Sequence, residues 1–236
     1  MFNRIRRSFQ LRHIQEHTFL DDHLDSDSLV IDLGFNRGLF SLHVLNLYRC
    51  QVLAFEPVSE LFDARPTGRG LTVVHGAVGG EEKEILIHKS LGTDASSKFK
   101  LTEESLGDET VDGYSLERVF SMITDKEISL VKVDIEGSEI ELFGFASDYI
   151  IRRSKQYSVE FHDFIDPSMI DDINILFARM KRIGYYRINF SRGNGNVLFV
   201  RKDCISIFNY IILNFVIRNV RGLMRIFRRK LSFRAR

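Results

Sequence analysis

With 236 residues, 44% of them hydrophobic, the chain is long enough for one well-buried α/β domain. Its net charge of +1 hides an asymmetry: residues 204–236 hold eight Lys or Arg and no acid, which leaves −7 on residues 1–203. An acidic body lacks the basic face that nucleic-acid binding needs, so that class of partner is not expected. Cys50 and Cys204 stand far apart with no metal-ligand spacing and read as thiols of a reducing compartment. No apolar run approaches 18 residues, and Met1–Arg7 lacks a signal-peptide core, so the expected location is cytoplasmic.

Taken in chain order, residues 1–27 are basic and then acidic and read as a helical lead-in. An apolar run over 28–33 contains Asp32 and turns through Gly34 and Gly38, and a helix over about 38–48 follows. A second apolar run, 51–55, ends in Glu56, twenty-four residues after Asp32. Leu71–His75 reads as a third strand, Glu84–His88 alternates as a fourth extended piece, and 92–107 is polar and loop-like. Val111–Phe120 then leads into a helix, Ser129–Asp134 is a strand, and Gly137 opens the next helix. Tyr157–His162 is a further strand. The spacing predicts a long amphipathic helix over Ser168–Ile183, with Ile170, Ile173, Phe177 and Met180 on one stripe. Two last strands, 185–190 and 196–201, are joined by the hairpin signal Ser191–Gly195. The pattern predicts a doubly wound, mostly parallel sheet with one antiparallel strand near its edge.

The first turn is D-x-G-x-N-x-G rather than the dinucleotide G-x-G-x-x-G. Counted from Gly34, the last fingerprint glycine is replaced by Leu39, and Asp32 would repel a pyrophosphate seated on the helix. A cofactor with an amino-acid end and no phosphate suits these residues better. Asp32 then faces an ammonium, the Gly34 turn packs against the amino-acid moiety, and Glu56 holds a ribose diol. Those features describe S-adenosylmethionine, although an ordinary βαβ turn with an acid at its lip fits the turn alone. A nucleotide-linked oxidoreductase is disfavoured by the missing glycine and by Asp32.

A second constellation lies downstream. Lys132, Asp134 and Glu136 fall at period two and share a face as their strand leaves the sheet, and Glu160 and His162 do the same. Ligands of open α/β sheets bind beyond the carboxyl ends of the strands, so these groups can meet there, with Glu139 just behind. Carboxylates and an imidazole can deprotonate a hydroxyl that attacks a methyl sulfonium. Lys132 reads as an ion-pair partner of a nearby acid. Asp134, Glu136 and His162 also suit Mg²⁺ or Mn²⁺, but the spacing does not require a metal and none is assigned.

Together these residues resemble the FkbM family of S-adenosylmethionine-dependent methyltransferases over roughly residues 28–202. The landmarks are VIDLGFNRGLFS at 30–41, FEP at 55–57, GAVG at 76–79, TVDGYSLERVF at 110–120, LVKVDIEGSEIELF at 130–143, VEFH at 159–162 and IGYYRI at 183–188. The resemblance implies a Rossmann-like methyltransferase fold and O-methylation of hydroxyls, often of sugars or polyketide-like metabolites. It implies a cofactor site at Asp32, Gly34, Asn36, Gly38, Glu56 and Ala77, and a reaction centre at Asp134, Glu136, Glu139, Glu160 and His162. His162 or Asp134 is the expected base, worth about 10²–10⁴-fold, beside a positioning contribution of up to roughly 7–11 kcal/mol. Two departures stand out: Phe35 occupies a position that is usually a small Ala, and the stretch between Pro57 and Leu71 is short. If Phe35 closes the pocket, the alternative is a catalytically silent binding module.

Residues 204–236 fall outside the resemblance and read as a basic amphipathic tail. Arg218, Arg221, Arg225 and Arg228 recur at helical spacing, and Val216, Val220, Leu223 and Phe227 lie roughly opposite. The expected partner is an anionic membrane surface, with about 1 kcal/mol per cation as an upper bound; packing on the body or in a homo-oligomer is the alternative.

Overall fold

The structure is a computed structural model that describes residues 11–90, 96–97, 105–123, 126–163, 168–191 and 193–217. Thirteen strands appear among them: β1 (Leu11–Ile14), β2 (His17–Leu20), β3 (Leu29–Leu33), β4 (Gln51–Glu56), β5 (Leu71–His75), β6 (Ala77–Val78), β7 (Glu84–Ser90), β8 (Ser96–Ser97), β9 (Ser105–Tyr114), β10 (Leu130–Val133), β11 (Gln156–Val159), β12 (Tyr185–Asn189) and β13 (Val197–Arg201). The helices are α1 (Leu39–Tyr48), α2 (Ser59–Asp63), α3 (Leu116–Ser121), α4 (Glu139–Phe145), α5 (Asp148–Ile151) and α6 (Met169–Arg182), followed by a helical stretch over 207–217.

The central sheet has seven strands in the order β12-β13-β11-β10-β3-β4-β5. All pairings from β11 to β5 are parallel, and β13 alone runs against its neighbours, one place in from the edge. That is the Rossmann-like methyltransferase arrangement expected above. Its central strands are buried on both faces, so they read as continuous apolar runs. Odd residues such as Ile31, Leu33, Phe55, Val131 and Val133 fill the core under α4 and α6. Even residues such as Val30, Val52, Ala54 and Leu130 fill the layer under α1.

Local chemistry fixes the helix ends. The Ser115 hydroxyl caps α3 by accepting from the Arg118 N–H at 3.1 Å. Asp171 and Asp172 in the first turn of α6, and Arg179, Lys181 and Arg182 in its last, complement the helix dipole. The stripe on α6 differs slightly from expectation: Ile173, Leu176 and Met180 are buried, whereas Ile170 is exposed.

Three further differences bear on function. Where a helical lead-in was expected, residues 11–20 form a β-hairpin, β1–β2, closed by the two-residue turn Gln15–Glu16. The hairpin is held because Leu11, Ile14, Phe19 and Leu20 bury against α1 and the sheet, and the Leu20 N–H donates to Gln156 Oε1 at 2.8 Å. Part of the expected loop at 92–107 and the element after it are instead β9, which pairs with β7 in a small second sheet, β6-β9-β7-β8; residues 91–95 and 98–104 lie outside the described residues. At the C-terminus, Leu213 and Ile217 join the buried layer under α1, and Tyr210 stacks on Tyr186 with ring centroids 4.1 Å apart. The arginine stripe beyond residue 217 lies outside the described residues.

Candidate functional site: two cavities meeting at Asp134

The parallel strands aim their carboxyl ends at one rim, and the chain leaves β3 and β10 there in tight turns. Gly34, at φ +88°, is required because a Cβ would fall 1.9 Å from the Asp134 carbonyl oxygen. Gly38 caps α1 in a left-handed conformation, directly over the Phe35 ring. Phe35 itself is buried in the layer under α1, so it repacks behind the turn and does not line the cavity on the β4–β5 side.

A first cavity opens on the β4–β5 side. Gly34, Asn36, Glu56, Ala77, Asp134 and Glu136, all expected site residues, line it. Val58, Ile85, Ile87 and Ile135 supply apolar wall, and the two isoleucines of β7 come from the small second sheet. The buried Glu56 carboxylate accepts the Asn36 N–H at 2.6 Å and the Val58 N–H at 2.9 Å. Each oxygen keeps acceptor capacity for a ribose hydroxyl. Burial raises the Glu56 pKa above the ordinary glutamate value.

Asp32 and Gly38 do not line this cavity. Asp32 is fully buried beneath the turn, 3.1 Å from the Lys132 ammonium and accepting from the Ser41 hydroxyl at 2.6 Å. The ammonium that Asp32 faces is therefore that of Lys132. Lys132 also lies 3.4 Å from Asp134 and donates to the Gly34 carbonyl, so one buried cation ties the strand end to both turns.

Behind the rim, Glu139 is fully buried and accepts from the Gly137 N–H at 3.1 Å, while His162 Nδ1 lies 2.9 Å from its Oε1. His162 Nε2 stands 3.1 Å from Glu136 and 3.8 Å from Asp134. Burial alone would lower the His162 pKa, but Glu139, Glu136 and Asp134 push it up to about 9. Burial would raise that of Asp134, but the Lys132 ammonium, helped by His162, outweighs it and holds the carboxyl well below the usual range. Glu160, crowded by burial and by Asp134, is pushed up to about 7. Two groups, His17 with Asp134 and Glu160, and Asp134 with Glu136 and His162, have donor atoms within 4.8 Å of one another. In both, the Lys132 ammonium beside Asp134 already supplies positive charge, and we assign neither to a metal.

A second cavity, of about 260 Å³, lies on the hairpin side, lined by Gln15, Glu16, His17, Phe35, Arg37 and Glu160 among others. It shares Gly34, Asn36 and Asp134 with the first, so the two adjoin at the Gly34 turn. Reading the sequence missed His17, Val58, Ile85, Ile87 and Ser138. Only the alternation of Glu84–His88 signalled any of these; nothing local placed β7 over the cavity.

The strand order, the glycine turn after β3 and the buried acid that ends β4 are those of a Rossmann-like domain of the methyltransferase kind. The sequence matches the Methyltransferase FkbM domain over residues 32–185, more than half of its length, and the chain belongs to that family. It is 26% identical over 166 residues to the methyltransferase sdnD of Sordaria araneosa, covering 54% of this chain and 63% of that protein. Among solved structures, SMU.1697c of Streptococcus mutans in complex with SAH is 10% identical with a TM-score of 0.47, covering 75% of this chain and 90% of that one. An rRNA methylase from Streptococcus thermophilus is 10% identical with a TM-score of 0.43, covering 76% and 90%.

Proposed function

We propose that the chain is an S-adenosylmethionine-dependent O-methyltransferase acting on a hydroxyl of a sugar, glycan or similar metabolite. The observation that carries this reading is the junction of the two cavities at Gly34, Asn36 and Asp134, one side suited to a nucleoside and the other open to an acceptor. S-adenosylmethionine is the cofactor: Glu56 takes the ribose diol, the apolar residues of β7 and Val58 take the adenine, and the acids at the rim suit a cationic ligand. When bound, it supplies an electrophilic methyl carbon. The chain's own work is positioning: Gly34 lets the turn approach closely, and Lys132, His162 and Glu139 fix the carboxylates.

Incubation with radiolabelled S-adenosylmethionine and a panel of glycosides tests the reading, with label expected on an oxygen. Turnover is expected to survive EDTA, because Lys132 and protonated His162 already supply the site's positive charge. A protein that binds the cofactor product but transfers no methyl to any acceptor supports the silent binding module instead.

The acceptor, in this reading, is held at an anionic membrane surface. The helical stretch at 207–217 buries Leu213 and Ile217 and exposes Ile207, Phe208, Ile211 and Phe215 on its other side. Eight cations follow in the sequence within residues 218–236. Deleting 218–236 is expected to lower pelleting with phosphatidylserine-containing liposomes at least tenfold. Unchanged pelleting contradicts this, and a dimer in sedimentation would mean that a second copy covers the stripe.

A further inference from the structure

The expected bases, His162 and Asp134, are poorly suited to take a proton. His162 is committed on both ring nitrogens to Glu139 and Glu136 and lies behind the rim, and Asp134 is held ionised by Lys132. The hairpin supplies another candidate, outside the stretch matched to the family. His17 is 2% exposed, with Nδ1 3.2 Å from the Ser158 hydroxyl and its ring edge-on to Phe40, 5.7 Å between centroids. Its Nε2 has no hydrogen-bond partner among the described residues, and the Asp134 carboxylate is 3.7 Å away. An unpartnered buried ring nitrogen is costly, and such groups mark sites that a ligand completes.

We propose that the second cavity is the acceptor site, that it takes a neutral polyhydroxylated ring, and that His17 Nε2 is the base that receives the acceptor's hydroxyl proton. The proposal rests on the methyl-transfer reading above. Glu16, Asp134 and Glu160 outnumber Arg37 and Lys132 around the cavity, so a phosphorylated or carboxylated acceptor is repelled, whereas hydroxyl groups find acceptors. Leu39, 55% exposed, offers apolar surface for the ring face, backed by the buried Phe35 and Phe40.

In the tautomer whose Nδ1–H donates to Ser158, Nε2 carries the lone pair, 3.7 Å from Asp134, which lines both cavities. In the transfer step an oxygen–carbon bond forms to the methyl and the carbon–sulfur bond breaks, its electron pair staying on sulfur. The hydroxyl proton passes to Nε2. The groups facing His17 are Lys132 from β10 and Asp134 just beyond it, Asp32 from β3, Ser158 from β11 and Glu160 beyond β11. Burial lowers its pKa against the pull of Asp134, so the imidazole is neutral at neutral pH and able to accept.

The test uses the full chain, radiolabelled S-adenosylmethionine and methyl glycosides of glucose, galactose, mannose and rhamnose. His17→Gln is expected to lower kcat by about 10²–10⁴-fold and to remove the acidic limb of the pH–rate profile. Its affinity for S-adenosylhomocysteine should stay within threefold, which also shows that it folds. His17→Ala should regain activity in added imidazole. Independently of turnover, the ¹⁵N resonance of His17 Nε2 in the complex with S-adenosylhomocysteine should shift when the glycoside is added. His17→Gln that keeps rate and profile while Glu160→Gln loses both overturns the assignment to His17. A wild-type protein that methylates another hydroxyl but none of the glycosides overturns the ring acceptor alone; one that methylates nothing refutes the underlying function.

Discussion

Glu56→Ala is expected to weaken S-adenosylhomocysteine binding by at least about 100-fold. Two ribose hydrogen bonds to an ionised carboxylate are worth roughly 1.5–3 kcal/mol each, and every 1.4 kcal/mol is tenfold. The same carboxylate holds the Asn36 and Val58 N–H groups, so its loss also loosens both turns that line the first cavity. Because burial raises the Glu56 pKa, binding should weaken as pH falls, beginning above the ordinary glutamate range. Calorimetry across pH 4.5–8 checks both statements. A change smaller than threefold would remove Glu56 from the cofactor site.

Lys132→Met should destabilise the fold by about 3–5 kcal/mol, because it leaves Asp32 fully buried and without its 3.1 Å cation. The loss is electrostatic, so Asp32→Asn added to Lys132→Met should recover much of it. Urea titrations of the single and double variants measure this. Equal stability of Lys132→Met and the parent would show that Asp32 gets its compensation elsewhere. The effect separates a structural Asp32 from one that meets the cofactor: the single variant should lose stability even with no ligand present.

The sheet was legible because its strands are buried on both faces and therefore stand out as apolar runs between glycine turns. Even the shortened α2 followed from the few residues between Pro57 and Leu71. The N-terminal hairpin was not legible: its turn, Gln15–Glu16, carries φ +52° at Gln15 with none of the Asn-Gly chemistry that announces such turns. Its fold is dictated by distant partners, Gln156 and the layer under α1, and His17 reaches the site only through them. The strand ends announced the acids Asp134, Glu136 and Glu160 but not their division of labour. Which carboxylate meets Lys132 and which faces a cavity depends on pairing between strands about a hundred residues apart, as with Asp32 and Lys132.

The most direct test of the account is calorimetric titration of the purified chain with S-adenosylhomocysteine and, separately, with NAD. Micromolar binding of S-adenosylhomocysteine, competed by S-adenosylmethionine, is expected, with no heat from NAD. Binding of NAD, or of neither ligand, would contradict the assignment of the first cavity to S-adenosylmethionine.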